Sequence, residues 1–296
     1  MRRFCLLVLL AAKLLAQEMP GPVLAVAANS RDYLYGAGGT LAKMIAEGRP
    51  VYVLLFGNEE KDSVGLGPAR TRLANNEEGE RAAKALGVKE VLNLGYKSGE
   101  FGQLSTSELR NHVMTMLRFW KPEIMFFPDW YIHYIDDKDT YWTGRMAEEA
   151  PYGGGSLFLQ EMTYIGYPGY AAREYYFYSP YRPYRPREGG EGAASLRAVD
   201  ISQTFDVKLR AIGELKTSNH RYAVETRQRL DLAGRQSPLL ANLTPAAAEA
   251  VARSFAEELA GEIGRKHGFR YGEEFNHLGR RVGLPEHVRE KAKRRE

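Results

Sequence analysis

The stretch PVLAVAANSRDYLYGAGGTLAKMIAEGRPVYVLLF, residues 22–56, decides the fold. Its apolar run over residues 22–28 predicts a buried strand, and the run over residues 51–56 predicts a second one. Between them, residues 36–48 have the apolar spacing of a helix. Strands that are apolar throughout and are separated by a helix are typical of a parallel sheet covered on both faces.

The alternation of helices and strands continues to about residue 150. The pattern predicts a helix, a strand, a second helix and a further strand, over residues 68–86, 91–94, 107–120 and 123–127. Right-handed crossovers then predict an α/β fold, a Rossmann-like three-layer sandwich with a mostly parallel, doubly wound sheet. Ligands bind beyond the carboxyl ends of such strands, so we expect one site among the loops that follow Ala28, Phe56, Leu94 and Phe127.

The second half of the chain is less regular. It predicts an edge strand over residues 174–179, a short strand over 199–201 that leads into a helix from Gln203 to about Ser218, and a long helix that Thr244 caps. A proline- and glycine-rich arm covers residues 181–192, and eight of the eighteen tyrosines cluster between residues 164 and 184. These rings would either stack on sugar faces or cover an edge of the sheet, and the sequence leaves both open.

The two ends of the chain differ from its middle. Residues 1–16, MRRFCLLVLLAAKLLA, predict a secretory signal peptide, so we expect export to the periplasm or the extracellular space and no membrane span after cleavage. One domain is expected over residues 17–283 and a charged tail over 284–296. The only cysteine, Cys5, lies in the signal, which excludes disulfides and thiolate sites from the domain.

The charge of the chain gives no indication of nucleic-acid binding. Its formal net charge is +4, and three of the basic residues lie within the predicted signal. Without Arg2, Arg3 and Lys13, 38 basic residues face 37 acidic ones. No basic surface is therefore predicted that would attract a nucleic-acid backbone.

The turn at residues 29–32 lies where an α/β enzyme would place its active site, yet it holds one carboxylate and no histidine or cysteine. Ser30 has no histidine near it and no nucleophile-elbow glycines. The glycines that follow, Gly36, Gly38 and Gly39, do not have the G-x-G-x-x-G spacing of a dinucleotide site.

Five segments in order between residues 23 and 276 resemble the zinc-dependent N-deacetylases of the PIG-L/LmbE type. They are the first strand with its turn and GAGGTLAKMIAEG, Arg72 with Glu77, Glu78 and the LGV at 86–88, the DTYWTG at 139–144, the VDIS at 199–202 with Lys208, Ala211 and Ser218, and the YGEEF at 271–275. The resemblance implies the three-layer fold and hydrolysis of an N-acetyl group from a GlcNAc-type sugar.

The family reaction uses zinc held by three protein ligands, with a carboxylate that deprotonates the bound water. The resemblance places the metal ligands at Asn29, Asp32 and Thr140, the general base at Arg31, and a histidine for the oxyanion or leaving group at Asp137. Only Asp32 is a residue type that the family uses at its position. The substrate-binding positions that the resemblance and the expected mouth of the site imply are Arg72, Ser98, Asp129, His133 and Lys216.

These replacements predict a scaffold without its hydrolytic residues. Asn29 is a poor zinc ligand, Arg31 cannot accept a proton, and a salt bridge between Arg31 and Asp32 is expected where the metal would lie. We therefore expect no zinc cofactor and a cleft that binds an N-acetylated sugar or a partner. Two alternatives stay open. One is a hydrolase rebuilt around Asp32, Asp137, Asp139 and His133, whose oxygen ligands would suit Ca²⁺ or Mg²⁺. The other is an assembly protein that uses the arm.

Overall fold

Seven strands form one mixed sheet in the computed structural model, which describes residues 20–130, 137–152, 158–180, 195–279 and residue 291. The strands are β1 Val23–Ala27, β2 Val51–Gly57, β3 Glu90–Tyr96, β4 Ile124–Pro128, β5 Glu174–Tyr178, β6 Ser195–Asp200 and β7 Gly272–Leu278. The α-helices are α1 Ser30–Ala46, α2 Pro68–Leu86, α3 Thr106–Trp120, α4 Lys138–Tyr152, α5 Gln160–Tyr164, α6 Phe205–Gly213, α7 Lys216–Leu232 and α8 Pro245–His267. Two short 3₁₀ helices cover Phe101–Gln103 and Pro238–Leu240.

The order of the strands is β3-β2-β1-β4-β5-β7-β6. The first five of these run parallel, and β7 is antiparallel to both β5 and β6. In the centre, Val23 of β1 lies opposite Val51 of β2 on one side and Ile124 of β4 on the other. The mostly parallel, doubly wound sheet that the sequence predicted is confirmed.

Helices cover both faces of the sheet, which makes the fold a three-layer sandwich. On one face, alternate β1 residues such as Val23 and Ala25 pack with α1, α6 and α8. On the other face, Leu24 and Val26 pack with α3 and α4. Because β1, β2 and β4 are buried on both faces, they are apolar along nearly their whole length, and the sequence signal for them is strong.

The strand predicted at an edge over residues 174–179 lies in the interior of the sheet. β5 pairs with β4 on one side and with β7 on the other, and its Phe177 and Tyr178 are fully buried. The predicted edge position was therefore wrong. The aromatic residues that suggested an edge instead fill the core beside Phe126 and Phe275.

The single helix predicted from Gln203 to about Ser218 is two helices, α6 and α7. The buried carboxylate of Glu78, on α2, accepts hydrogen bonds from the N–H and the hydroxyl of Thr217 at 2.8 and 2.9 Å. A negative charge stabilises a helix N-terminus, so this contact favours a new start for α7.

Two segments that the sequence assigned to loops are helical. α1 begins at Ser30, six residues before the predicted start at Gly36, and α4 begins at Lys138 in the carboxylate-rich stretch after β4. The glycines within α1 serve its packing. A Cβ on Gly36 would lie 2.4 Å from Cδ2 of Tyr178, and one on Gly39 would lie 2.6 Å from Cδ1 of Ile201.

Several sequence predictions fall outside the described residues. These are the signal peptide over residues 1–16 with Cys5, His133, the arm over residues 181–192 and the tail from residue 284. Within the described ranges, no helix is both long enough and apolar enough to cross a membrane.

A buried ion pair joins α1, α6 and β7. The Lys208 ammonium lies 2.7 Å from the Glu273 carboxylate, and each side chain is 2% exposed. Lys208 also donates to the carbonyl of Tyr35 at 2.6 Å, and Glu273 accepts from the N–H groups of Gly39 and Thr40. In a regular α-helix, the Gly39 N–H would donate a hydrogen bond to the Tyr35 carbonyl. The ion pair contacts both of these backbone groups in the interior of α1.

We expect Lys208→Met to lower the free energy of unfolding by ~3–5 kcal/mol, because it leaves the Glu273 charge buried without its cation. Adding Glu273→Gln should recover part of that loss, because the neutral amide oxygen still accepts from Gly39 and Thr40. Urea unfolding at pH 7 measures both. The control is Arg81→Ala, which removes a largely exposed ion pair with Glu214 and should cost about 1 kcal/mol or less. Equal losses in Lys208→Met and the control would contradict the role of the buried pair.

Candidate functional site

A cavity of about 210 Å³ lies at the carboxyl ends of the parallel strands. Four segments contribute to its wall, the end of β1 with the start of α1, the chain after β2, the chain after β3 and the start of α4, and Arg221 of α7 joins them. This is where the sequence predicted a site. We call it the cleft; its polar lining residues are Asn29, Arg31, Glu59, Lys61, Asp62, Ser98, Asp137, Asp139 and Arg221.

Asn29 caps the N-terminus of α1. Its backbone is extended, and its side-chain oxygen accepts a hydrogen bond from the N–H of Asp32 at 3.0 Å. Asparagine is among the best N-cap residues, which explains why the helix starts at Ser30. The Asn29 side-chain oxygen, at a position where the resemblance implies a metal ligand, therefore accepts the hydrogen bond that caps α1.

Asp32 and Thr140 form a hydrogen bond with each other in the interior of the fold. Both are fully buried, and the Thr140 hydroxyl donates to Oδ2 of Asp32 over 2.5 Å. This contact joins α1 to α4, 108 positions apart in the chain. Two positions that the resemblance assigned to metal ligands are thus adjacent, as expected, and they are linked by a short hydrogen bond.

The Arg31 side chain packs toward α7. Its guanidinium carbon lies 4.4 Å from the ring centre of Tyr222 and 5.1 Å from that of Tyr35, and the residue is only 4% exposed. Cation–π contacts of this kind contribute ~0.5–2 kcal/mol each. The sequence predicted a salt bridge from Arg31 to Asp32. The guanidinium of Arg31 contacts the two tyrosines and Asp32 accepts from Thr140, and the salt bridge itself stays a prediction.

Two carboxylates of the cleft, those of Asp137 and Asp139, accept hydrogen bonds from backbone N–H groups. Oδ1 of Asp137 accepts from the N–H groups of Asp139 and Thr140 at the start of α4. Asp139 in turn accepts from Gly99 at 2.5 Å and from Phe101 at 3.3 Å. Burial raises the pKa of Asp139 above its ordinary value, and the Asp137 charge adds to that shift. These acids stabilise chain turns and helix ends, as negative groups at helix N-termini do.

Zinc is the metal that the resemblance implies, and the donor set present does not fit it. Asn29 and Asp32 are occupied by the α1 N-terminus and by Thr140, and neither Asn29 nor Thr140 carries an imidazole, thiolate or carboxylate. Zinc sites are built from those three donor types. Over the described ranges, no group of three or more His, Cys, Asp or Glu side chains could hold a metal ion.

Glu59 is a buried acid of the cleft that the sequence did not single out. Its carboxylate accepts from the N–H and the hydroxyl of Ser30, both at 2.8 Å. Burial, with the charges of Asp62 and Asp32, raises its pKa to about 8. Its φ of 52° lies in the left-handed region, which is strained for a residue with a side chain. Asn75 holds that conformation by donating to the Glu59 carbonyl at 2.9 Å.

The structure brings together some of the predicted substrate-binding residues and separates others. Ser98 lines the cleft, where its hydroxyl donates to Asn58 at 3.2 Å. Asp129 is fully buried and accepts from Asn276 at 2.9 Å. Lys216 is exposed at the first residue of α7, and Arg72 lines a different cavity. His133 lies outside the described residues.

Four cleft residues were missed by the sequence reasoning, namely Glu59, Lys61, Asp62 and Arg221. The first three directly follow β2, so the rule that ligands bind at strand ends could have included them. Arg221 is different, because it reaches Asp62 from a helix 159 positions later and no local signal marks it.

Comparisons with known proteins agree with this architecture. The PIG-L family model, described as GlcNAc-PI de-N-acetylase, matches residues 24–149. Diacetylchitobiose deacetylase of Thermococcus kodakarensis is 29% identical over 195 residues, which cover 64% of this chain and 67% of that protein. This chain and the proteins it matches have the same α/β class of fold. Residues 24–149 form a PIG-L family domain, as the resemblance predicted.

Solved structures show the same fold at lower identity. N,N'-diacetylchitobiose deacetylase from Pyrococcus horikoshii has a TM-score of 0.68 at 23% identity and covers 87% of this chain and 84% of its own. GalB, a 4-carboxy-2-hydroxymuconate hydratase from Pseudomonas putida KT2440, has a TM-score of 0.59 at 19% identity and covers 90% and 99%. Because a deacetylase and a hydratase both use this fold, the fold alone does not determine the reaction.

We expect the Glu59 carboxyl to make the protein less stable as the pH rises. Its pKa is about 8 in the folded state and near 4.5 as a free side chain, so the folded state binds more protons between these values. The stability it contributes is fully present below about pH 4.5 and is lost as the pH rises through about 8, with a slope of at most ~1.4 kcal/mol per pH unit.

Glu59→Gln should reduce this slope between pH 5 and 8, because the amide stays neutral and its oxygen still accepts from Ser30. Denaturant unfolding at pH 5, 6.5 and 8 measures the slope for both proteins. The exposed Glu77→Gln is the control and should leave the slope unchanged. A Glu59→Gln slope equal to that of the parent protein would contradict the raised pKa.

Proposed function

We propose that this protein binds an N-acetylated sugar or glycoconjugate in its cleft without zinc-dependent hydrolysis. The PIG-L family domain and the two diacetylchitobiose deacetylases to which the chain is similar support the class of ligand. The residues of the cleft support the absence of the family reaction.

The observation that carries the proposal is the hydrogen bond from Thr140 to Asp32 at the family's metal position. Together with the Asn29 cap, it gives one oxygen of each of these two side chains a hydrogen-bonding role within the fold. Arg31, at the general-base position, is a fixed cation that cannot accept a proton. Its repulsion of a dication at contact distance would reach several kcal/mol at an effective dielectric near 20.

The cleft has groups that would hold a sugar. Lys61 and Arg221 supply donors for ring hydroxyls and for an acetamide carbonyl, while Asp62 and the Ser98 hydroxyl oxygen supply acceptors. Its volume of about 210 Å³ is below the ~300–1,000 Å³ of sites for drug-sized ligands, so it suits a single sugar residue. Export through the predicted signal at residues 1–16 would place this site where extracellular or periplasmic glycans occur.

Elemental analysis of the purified protein tests the absence of zinc. We expect less than about 0.1 equivalents of zinc, calcium or magnesium, since loss of even outer-shell partners lowers metal affinity ~10- to 100-fold. The variant that combines Asn29→His, Arg31→Asp and Thr140→His should gain about one equivalent of zinc, because it restores two imidazoles beside Asp32. Stoichiometric metal in the parent protein would contradict the proposal. Absence of zinc from the triple variant would show that Asn29, Arg31 and Thr140 do not correspond to the family's positions.

Calorimetric titration with N-acetylglucosamine and diacetylchitobiose tests sugar binding. We expect binding without release of acetate, with Kd values in the range of ~0.01–1 mM for a small, mostly polar site. Ser98→Trp should abolish it, because an indole fills the cleft. Ser107→Trp, on the exposed face of α3, is the matched control and should bind as the parent does. Acetate release by the parent protein would instead favour the rebuilt hydrolase.

A further inference from the structure

A second and larger cavity, of about 530 Å³, lies beside the cleft. It is formed by the first half of α2 and the carboxyl ends of β2 and β3, and we call it the α2 groove. The residues that matter for its chemistry are Asn58, Arg72, Leu73, Asn76 and Asn93. Because β3 is an edge strand, the α2 groove is open to the side of the molecule.

Asn58 joins the α2 groove to the cleft. The residue lines the α2 groove, and its side-chain oxygen accepts from both the N–H and the hydroxyl of Ser98, which lines the cleft. The two cavities are therefore neighbours that share one hydrogen-bonded wall. Asn58 and Ser98 are thus the residues that a ligand occupying both cavities would cross.

The hydrogen-bond acceptors of the α2 groove are already used. The side-chain oxygen of Asn58 accepts from Ser98 and from the N–H of Glu60, and its nitrogen donates to the Glu60 carboxylate. The side-chain oxygen of Asn93 accepts from Gly95, and its nitrogen donates to the side-chain oxygen of Asn76 at 3.4 Å.

The donors of the α2 groove remain available. In the part of the chain that the structure describes, no hydrogen bond or ion pair uses the Arg72 guanidinium or the side-chain nitrogen of Asn76. These residues are four apart on α2, so their side chains lie next to each other on one face of the helix. Leu73, 62% exposed, adds apolar surface beside them. Free donors with a fixed positive charge select an acceptor-rich, negatively charged group.

We propose that the α2 groove binds an anionic substituent, a carboxylate or a sulfate, on the second residue of a saccharide whose N-acetylated residue occupies the cleft. Arg72 forms charge-assisted hydrogen bonds with the anion, Asn76 donates a further one, and Leu73 contacts the apolar face of the sugar ring. This inference rests on the proposed sugar binding in the cleft, and it names an acidic glycan as the ligand.

Three disaccharides test it by calorimetric titration of the full-length protein. They are unmodified diacetylchitobiose, its 6-O-sulfated form and a disaccharide of glucuronate linked to N-acetylglucosamine. We expect at least one acidic disaccharide to bind ~10-fold more tightly than the neutral one at 50 mM salt, the effect of one hydrogen bond to a charged group. The form that shows the preference identifies the anion as a sulfate or a carboxylate.

Arg72→Gln should reduce the preference to about two-fold or less, because it removes the charge and keeps a polar side chain. Arg70→Gln is the matched control, since Arg70 is an exposed arginine on the same helix that does not line the α2 groove. The preference should persist in that variant.

The outcomes separate this inference from the proposed function. Equal binding of acidic and neutral disaccharides overturns the α2 groove as an anion site and leaves sugar binding in the cleft intact. An equal loss of preference in Arg70→Gln also overturns it, because the effect would then come from general charge. No binding of any of the three by the parent protein overturns the proposed function together with this inference.

Discussion

The ion pair between Lys208 and Glu273 holds the helix that begins at the cleft. It contacts α1 at Tyr35, Gly39 and Thr40, in the middle of the helix that carries Asn29, Arg31 and Asp32 at its beginning. Two buried charges cost several kcal/mol each to dehydrate, and only partners in good geometry offset that cost. Glu273 meets this condition, since it accepts from Lys208, from two backbone N–H groups and from the Thr40 hydroxyl.

The cleft at the start of α1 is formed by helix ends and by the acidic residues that stabilise them. Glu59 accepts from the first N–H of α1, Asp137 from the start of α4, and Asp139 from the turn after β3. Acids in such a place suggest metal ligands when they are read from the sequence alone. Their hydrogen bonds in the structure assign them to the backbone.

Local signals allowed much of the fold to be predicted. The helix Pro68–Leu86 was predicted at both ends, because a proline starts it and a glycine follows it. The interior place of β5 could not be predicted, since it depends on pairing with β7 a hundred positions later. The same limit applies to the site. Ser98 and Asp137 were placed at the cleft by the family resemblance, whereas the packing of Arg31 on Tyr222 joins residues that only the folded chain brings together.

The placement of β5 and β7 also bears on how the chain acquires its structure. The segment that matches the family model ends at residue 149, before β5, β6 and β7 and before both members of the Lys208–Glu273 pair. During synthesis from the N-terminus, one side of β4 would have no paired strand until β5 is made. The helix α1 would lack its contacts with Lys208 and Glu273 until β7, the last strand, is made. Such non-local contacts slow folding, and the nascent chain would expose the apolar flank of β4 until β5 has been synthesised.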